Sequence, residues 1–276
     1  MSPMNNRLLV PTQPPGVLDF APGAAAAYSL RSLSRSYADP VVTVRRSSDD
    51  AEEDFTAAEV DDGTLAAFCG AGDGFVYRWW DQSGNANHAV AAADTNEPKI
   101  VDSGVVITEE GKPALQFDGN NDYFSSGSIL SLNGSVTLSL VTDVSSDDDI
   151  RTIFSYGGFV TGGFLLQREG TANKIRYADR NTSTRLLDFH SLAAADGLTH
   201  ICALCGNRTS VTVLKNSVAE TVVAAANSHI TNTLEIGRRS DTASQYWNGR
   251  VTEIVFWQAD LTQSIDRITG NTMWYY

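Results

Sequence analysis

Apolar and aromatic residues recur along the chain in short runs of strand length, broken by Gly, Asn, Asp and Ser. That alternation predicts many short strands and a sandwich. The clearest unit is residues 75–90, F-V-Y-R-W-W-D-Q-S-G-N-A-N-H-A-V. Phe75, Val76, Tyr77, Trp79 and Trp80 favour a strand, and residues 81–87 collect turn-forming Asp, Gln, Ser, Gly and Asn. Gly84 takes a positive φ cheaply, and Asp81 is expected to bridge backbone amides. Residues 75–90 thus read as strand, tight polar turn and strand. Further strands are predicted at 41–45, 100–101, 105–107, 114–117, 136–141, 152–156, 163–167, 174–177 and 186–189. The pair 198–204 and 210–215 reads as a hairpin ending in Asn216-Ser217, and 234–238 with 247–257 closes the sheet.

Three segments read as helical. Ala24–Ala27, followed by Tyr28, Leu30 and Leu33, predicts a short helix over 24–36. Leu65, Ala66 and Phe68 predict a second over 61–72, ending near Gly70. Leu261, Ile265 and Ile268 share one stripe, which predicts a terminal helix over 261–271. Residues 47–59 read as an acidic loop. Residues 1–23 contain Pro3, Pro11, Pro14, Pro15 and Pro22 and read as an extended arm before a single domain, 24–276. Leu8, Leu9, Val10, Val17, Leu18 and Phe20 are apolar, so the arm needs a surface. Its own sandwich and a partner chain are both open to it, and the attachment reading takes the partner.

Composition narrows function more than fold. A net charge of −13 and a pI of about 4.6 argue against binding a nucleic-acid backbone or an anionic membrane. No apolar run is long enough to span a bilayer. Residues 1–7 lack the features of a signal peptide, so synthesis in the cytoplasm is expected. Cys69, Cys202 and Cys205 make no disulfide framework. Cys202 and Cys205 lie three apart on a predicted strand and point to opposite faces, so buried thiols are expected rather than a metal or redox pair.

The motif W-x-D-Q-S-G-N-x-N-H at 79–88, preceded by Arg45-Arg46-Ser47-Ser48-Asp49-Asp50, resembles the β-sandwich domain of arabinofuranosidase B, over about residues 26–117. Similar segments occur in bacteriophage virion proteins. F-D-G-x-x-D-Y-F at 117–124, and an I-G strand paired with N-G-x-V-x-E-I-x-x-W at 248–257, are laminin-G-like features. The resemblance implies an all-β, concanavalin A-like jelly-roll sandwich with a few short helices and the extended arm.

It also implies a test for activity. A retaining glycosidase needs two carboxyls. The family's nucleophile is a Glu shortly after F-x-Y-G-N; the matching stretch is Phe154-Ser155-Tyr156-Gly157-Gly158, without a carboxylate. The adjacent cysteine pair that precedes it in the family is replaced by Asp147-Asp148-Asp149. The family's acid/base is an Asp after I-G-G, and Ile236-Gly237-Arg238-Arg239-Ser240-Asp241 offers Asp241. One acid without its partner cannot perform double displacement, so the sequence leads to the expectation that the protein is not an enzyme.

Other candidates are binding groups. Trp79, Trp80, Tyr246 and Trp247 could stack on sugar faces while Arg239 and Asp241 bind hydroxyls, although strand alternation must turn at least one of Trp79 and Trp80 inward. Asp118, Asn120 and Asp122 have the spacing of a Ca²⁺ loop, and equally of a polar β-turn; no other cofactor is expected. The expected function is a non-enzymatic virion protein on a phage particle surface: a capsid decoration, head spike or tail-associated adhesin. It would be held to other virion proteins by the arm, homo-oligomeric, and bound to host surface polysaccharide. The alternative is a glycoside hydrolase related to arabinofuranosidase B.

Overall fold

The computed structural model describes residues 15–130, 134–144, 149–158, 162–180, 184–206, 210–223 and 232–276. The strand Asn248–Trp257 is its axis. It pairs antiparallel with Ala26–Ser29, Leu115–Asp118 and Val136–Thr142. Val136–Thr142 continues through Thr199–Gly206, Ser210–Lys215 and Val218–Val223. A second antiparallel run holds Phe124–Ser126, Leu234–Ile236, Arg151–Tyr156, Phe164–Glu169, Lys174–Arg180 and Thr184–Ser191. Gly74–Trp79 joins the two runs through Lys99–Asp102 and Ala89–Val90. The result is the expected all-β sandwich, a nearly closed antiparallel sheet with few helices.

Its core is apolar on the inward positions of both runs. Phe154 meets Phe256 edge-on at 5.1 Å, and Trp79 packs between Tyr28 at 5.7 Å and Phe124 at 6.1 Å. Trp79 and Trp247 are wholly buried. Neither can stack on a sugar: alternation along Gly74–Trp79 turns Trp79 into the core, and Trp247, just before Asn248–Trp257, packs in the same core.

The turn at 81–87 is built as its composition predicts. Asp81 accepts from the amides of Ala27, Ser83 and Asn87 at 2.8–2.9 Å, and Gly84 has φ +87°. Gln82 adds bonds to the Leu33 amide and to the Ser29 and Arg31 carbonyls, so the turn ties the first strand in place. Gly84→Val should cost about 1–3 kcal/mol from backbone strain alone, because open space surrounds the position. Thermal unfolding checks this, and an unchanged melting temperature would contradict it.

Three expectations are corrected here. The alanine run at 24–27 is not helical: Ala26–Ser29 is a strand, buried throughout, in register with Phe256 to Glu253. Ala27 shares an apolar cluster with Ile268 of the terminal helix Ile265–Tyr275, and tertiary packing overrides helix propensity. The acidic segment 47–59 is not all loop, since Glu52–Phe55 pairs with Val42–Arg46 and Ala57–Asp61 is a short helix capped by Thr56. The helix at 61–72 is shorter than expected, Thr64–Cys69.

Residues 15–23 fold back on their own sandwich. Val17 is fully buried in a cluster with Val255, Trp257 and Ile268, with Leu18 and Phe20 packed against it. Trp257 Nε1 donates to the Ala21 carbonyl at 2.8 Å and Asn271 Nδ2 to that of Pro15 at 2.7 Å. This corrects the attachment reading for Val17, which is buried in its own domain, while Leu18 and Phe20 are half-buried against the same cluster. Leu8, Leu9 and Val10 lie outside the described residues.

Candidate functional site

The strand Leu234–Ile236 lies between Phe124–Ser126 and Arg151–Tyr156, with Glu235 opposite both Ser125 and Ser155. Leu234 and Ile236 point into the core, so Glu235 is carried on the other face, where it is 8% exposed. The chain then turns at Gly237, whose φ is +96° and where a Cβ would stand 2.6 Å from the Phe117 ring. Only glycine fits this close approach.

The segment after Gly237 wraps back over the edge of Arg151–Tyr156. Ser155 Oγ donates to the Arg238 carbonyl and accepts from the Ser240 amide, both at 3.0 Å. The Thr152 amide donates to the Gln245 carbonyl at 2.8 Å, and Arg151 Nη1 to the carbonyls of Gly119 and Tyr246. The Asp241 carboxylate seats on Gly158: a Cβ there would lie 2.2 Å from Asp241 Oδ1. The two segments singled out in the sequence, 154–158 and 236–241, therefore meet at one site, where the 236–241 segment lies over the strand edge.

The charges in the cleft are organised by two arginines. Arg238 holds Glu235 through both oxygens, at 2.6 and 3.0 Å, and its guanidinium stacks 3.5 Å above the Tyr123 ring. Burial works against the Arg238 charge, but bonds to Glu235 and Tyr246 outweigh it and raise its pKa. Arg239 holds Asp241 in the same bidentate manner, at 2.6 and 2.8 Å. Planar guanidinium suits such paired contacts.

Of the sugar candidates, Arg239, Asp241 and Tyr246 belong to this cleft. Trp80 does not: it contacts Thr43 and His88, away from the 238–246 segment. Glu235, Arg238 and Tyr123 were missed. Their one signal was a Glu inside an apolar strand with an Arg three residues on, which reads equally as a surface ion pair.

The turn 118–122 is closed on itself. Asp118 Oδ1 accepts from the amides of Asn120 and Asn121, and Asp122 Oδ2 from the amide of Asp118. This is the polar β-turn, and among the described residues no group of three His, Cys, Asp or Glu side chains is arranged to hold a metal. Of the two readings of Asp118, Asn120 and Asp122, the structure shows the polar β-turn, with carboxylate oxygens serving backbone amides. Burial, reinforced by the neighbouring charges of Asp118 and Glu97, pushes the Asp122 carboxyl up from 3.8 to about 7. The folded protein then holds a proton that the unfolded chain releases near pH 4, so stability falls as pH rises from about 4 to 7. Asp122→Asn keeps the acceptor for the Asp118 amide. It should match the wild type at pH 4 and exceed it by on the order of 2 kcal/mol at pH 8; denaturant unfolding at both pH values checks this.

Residues 19–123 match the family model of the arabinofuranosidase B catalytic domain. The match ends before both segments of the cleft. Among solved structures, the fold is similar to a GH54 α-L-arabinofuranosidase soaked with a cyclic sulfate inhibitor, at 16% identity and a TM-score of 0.67. An arabinofuranosidase complexed with arabinofuranosyl-α-1,2-xylobiose is similar at a TM-score of 0.66. Both comparisons cover 90% of this chain and 62% of the other. The receptor-binding domain of botulinum neurotoxin D shares 11% identity at a TM-score of 0.52, over 71% of this chain and 50% of that one. No curated protein matches the sequence. These findings correct the virion-protein reading: the family match and the fold lie with the arabinofuranosidase-like glycoside hydrolases, the alternative set beside it.

Proposed function

We propose that the protein is a glycoside hydrolase related to arabinofuranosidase B, acting on an arabinofuranoside in the cleft around Asp241. The observation that carries this reading is the contact between the 154–158 and 236–241 segments, with the Asp241 carboxylate on Gly158. Asp241 supplies the acid that protonates the leaving oxygen. Glu235 supplies the second carboxyl, in place of one following Tyr156-Gly157, and Arg238 fixes its orientation.

A second reading has its own support. Both carboxylates stand in ion pairs with arginines, which favours holding a saccharide over turning it over. The test is hydrolysis of 4-nitrophenyl α-L-arabinofuranoside by the full chain, with binding of an arabinose oligosaccharide measured in parallel. Turnover supports the hydrolase. Binding without turnover supports the second reading, and neither binding nor turnover overturns both.

A further inference from the structure

Carboxylates outnumber cations in this chain by 33 to 20, yet none pairs with Arg78. Arg78 is half-buried and, among the described residues, forms no hydrogen bond or ion pair. Its guanidinium lies 5.6 Å from the Tyr77 ring and 5.1 Å from that of Trp80, so two aromatic side chains hold the cation in place. Nε is buried without a partner, which leaves the terminal Nη groups as the donors within reach of solvent. Trp80, half-buried, is itself fixed. Its Nε1 donates to Thr43 Oγ1 at 2.9 Å, and that hydroxyl donates to Asp54 Oδ1 at 2.6 Å. His88 packs edge-on against Trp80 at 4.6 Å. Its Nδ1 accepts from the Asp81 amide at 3.1 Å, so the neutral ring carries its proton on Nε2, a second donor beside the cation. Burial and the Arg78 charge lower the His88 pKa against the pull of Asp81, which keeps that ring neutral.

The sheet register puts this patch on the Glu235 face. Thr43 lies opposite Arg78, Arg78 opposite Val90, Val90 opposite Ser125, and Ser125 opposite Glu235. Residues opposite one another on antiparallel strands share a face. Trp79, Ala89, Phe124 and Leu234, next to this row in sequence, are the ones turned into the core. Three strand spacings separate Arg78 from Glu235, about 14 Å. In the row between them stand Val90 and Ser125, short side chains that are half-buried. The row thus leads from an unanswered cation to the Glu235–Arg238 pair, farther than a single sugar ring reaches. A planar guanidinium matches a carboxylate through paired bonds, whereas neutral hydroxyls leave its charge unanswered.

We propose that Arg78, with Trp80 and His88, forms a distal subsite for an acidic sugar unit, a uronate, in an oligosaccharide lying across the sheet toward Glu235. The Arg78 Nη groups and His88 Nε2 donate to the carboxylate, and the Trp80 ring offers apolar surface to the C–H groups of the sugar. The direction in which the oligosaccharide runs rests on the reading of Asp241 and Glu235 as the reactive site; binding of the uronate does not.

The experiment is NMR titration of the full, isotope-labelled chain with sodium glucuronate, with glucose and glucose 6-phosphate as the neutral and phosphate comparisons. Glucuronate should shift the Trp80 Nε1–H and Arg78 Nε–H resonances and bind about tenfold or more tightly than glucose, the gain expected of a charge-assisted bond. Arg78→Gln should reduce glucuronate to the level of glucose, and Trp80→Phe identifies the indole signal. The wild-type shifts test the site without either variant. Asp241→Asn should bind glucuronate unchanged. No preference for glucuronate over glucose, a preference kept by Arg78→Gln, or tighter binding of glucose 6-phosphate would each overturn the proposal. Turnover of 4-nitrophenyl α-L-arabinofuranoside without glucuronate binding would remove the subsite and leave the hydrolase reading. Glucuronate binding at Arg78 without turnover would keep the subsite and count against the hydrolase.

Discussion

Arg31→Ala should destabilise the protein by about 3–5 kcal/mol, the largest effect expected of any single charged residue here. Arg31 is 7% exposed and Glu253 is fully buried. The guanidinium donates to both Glu253 oxygens, at 2.7 and 3.1 Å, and to Asn271 Oδ1 at 3.1 Å. Tyr275 lies 4.7 Å and Tyr276 5.7 Å from it. Burial opposes the charge and Glu253 restores it, which holds the Arg31 pKa above its ordinary value. Removing the cation strands a carboxylate in the middle of Asn248–Trp257, the strand on which both runs depend. Replacing both partners, Arg31→Met with Glu253→Leu, should recover most of the loss, since paired apolar groups avoid the desolvation penalty. Equilibrium unfolding in denaturant measures both. A loss below about 1 kcal/mol for Arg31→Ala would mean that Glu253 is already answered by other groups.

The second large effect concerns chemistry. Asp241→Asn should lower kcat/KM for an arabinofuranoside by about a hundredfold or more, the usual contribution of a positioned acid. Its fold should survive, because Asp241 lies on the edge segment and the Arg239 contact is a loop ion pair. An amide still accepts one bond from Arg239 but cannot donate the proton that the leaving oxygen needs. Steady-state kinetics beside a melting curve separate the two effects. A variant that keeps full turnover would remove Asp241 from the mechanism.

Local chemistry in the sequence pointed to much of this architecture, and long-range packing decided the rest. Asp81 and Gly84 were readable because a turn is specified by its own few residues, and the pairing of 198–204 with 210–215 because the two runs are adjacent in sequence. Ala26–Ser29 was not, since an alanine run is helical by propensity and becomes a strand only beside Asn248–Trp257, more than two hundred residues away. Trp79 and Trp247 illustrate the ambiguity of aromatic residues: strand alternation required that Trp79 or Trp80 face inward, and the structure shows that Trp79 and Trp247 are the buried ones. The contact between 154–158 and 236–241 was suggested by the motifs there, whereas the placing of Glu235 opposite Ser155, from another strand and just before the turn at Gly237, was not legible.

The central claim is that the cleft between Gly158, Glu235 and Asp241 takes a furanoside. The most direct measurement is a crystal structure of Asp241→Asn soaked with an arabinofuranoside that the variant leaves uncleaved. The predicted result is a furanose ring with its glycosidic oxygen facing residue 241 and its hydroxyls toward Glu235 and Arg238. A ring bound elsewhere on the sandwich, with this cleft vacant at saturating ligand, would contradict the account.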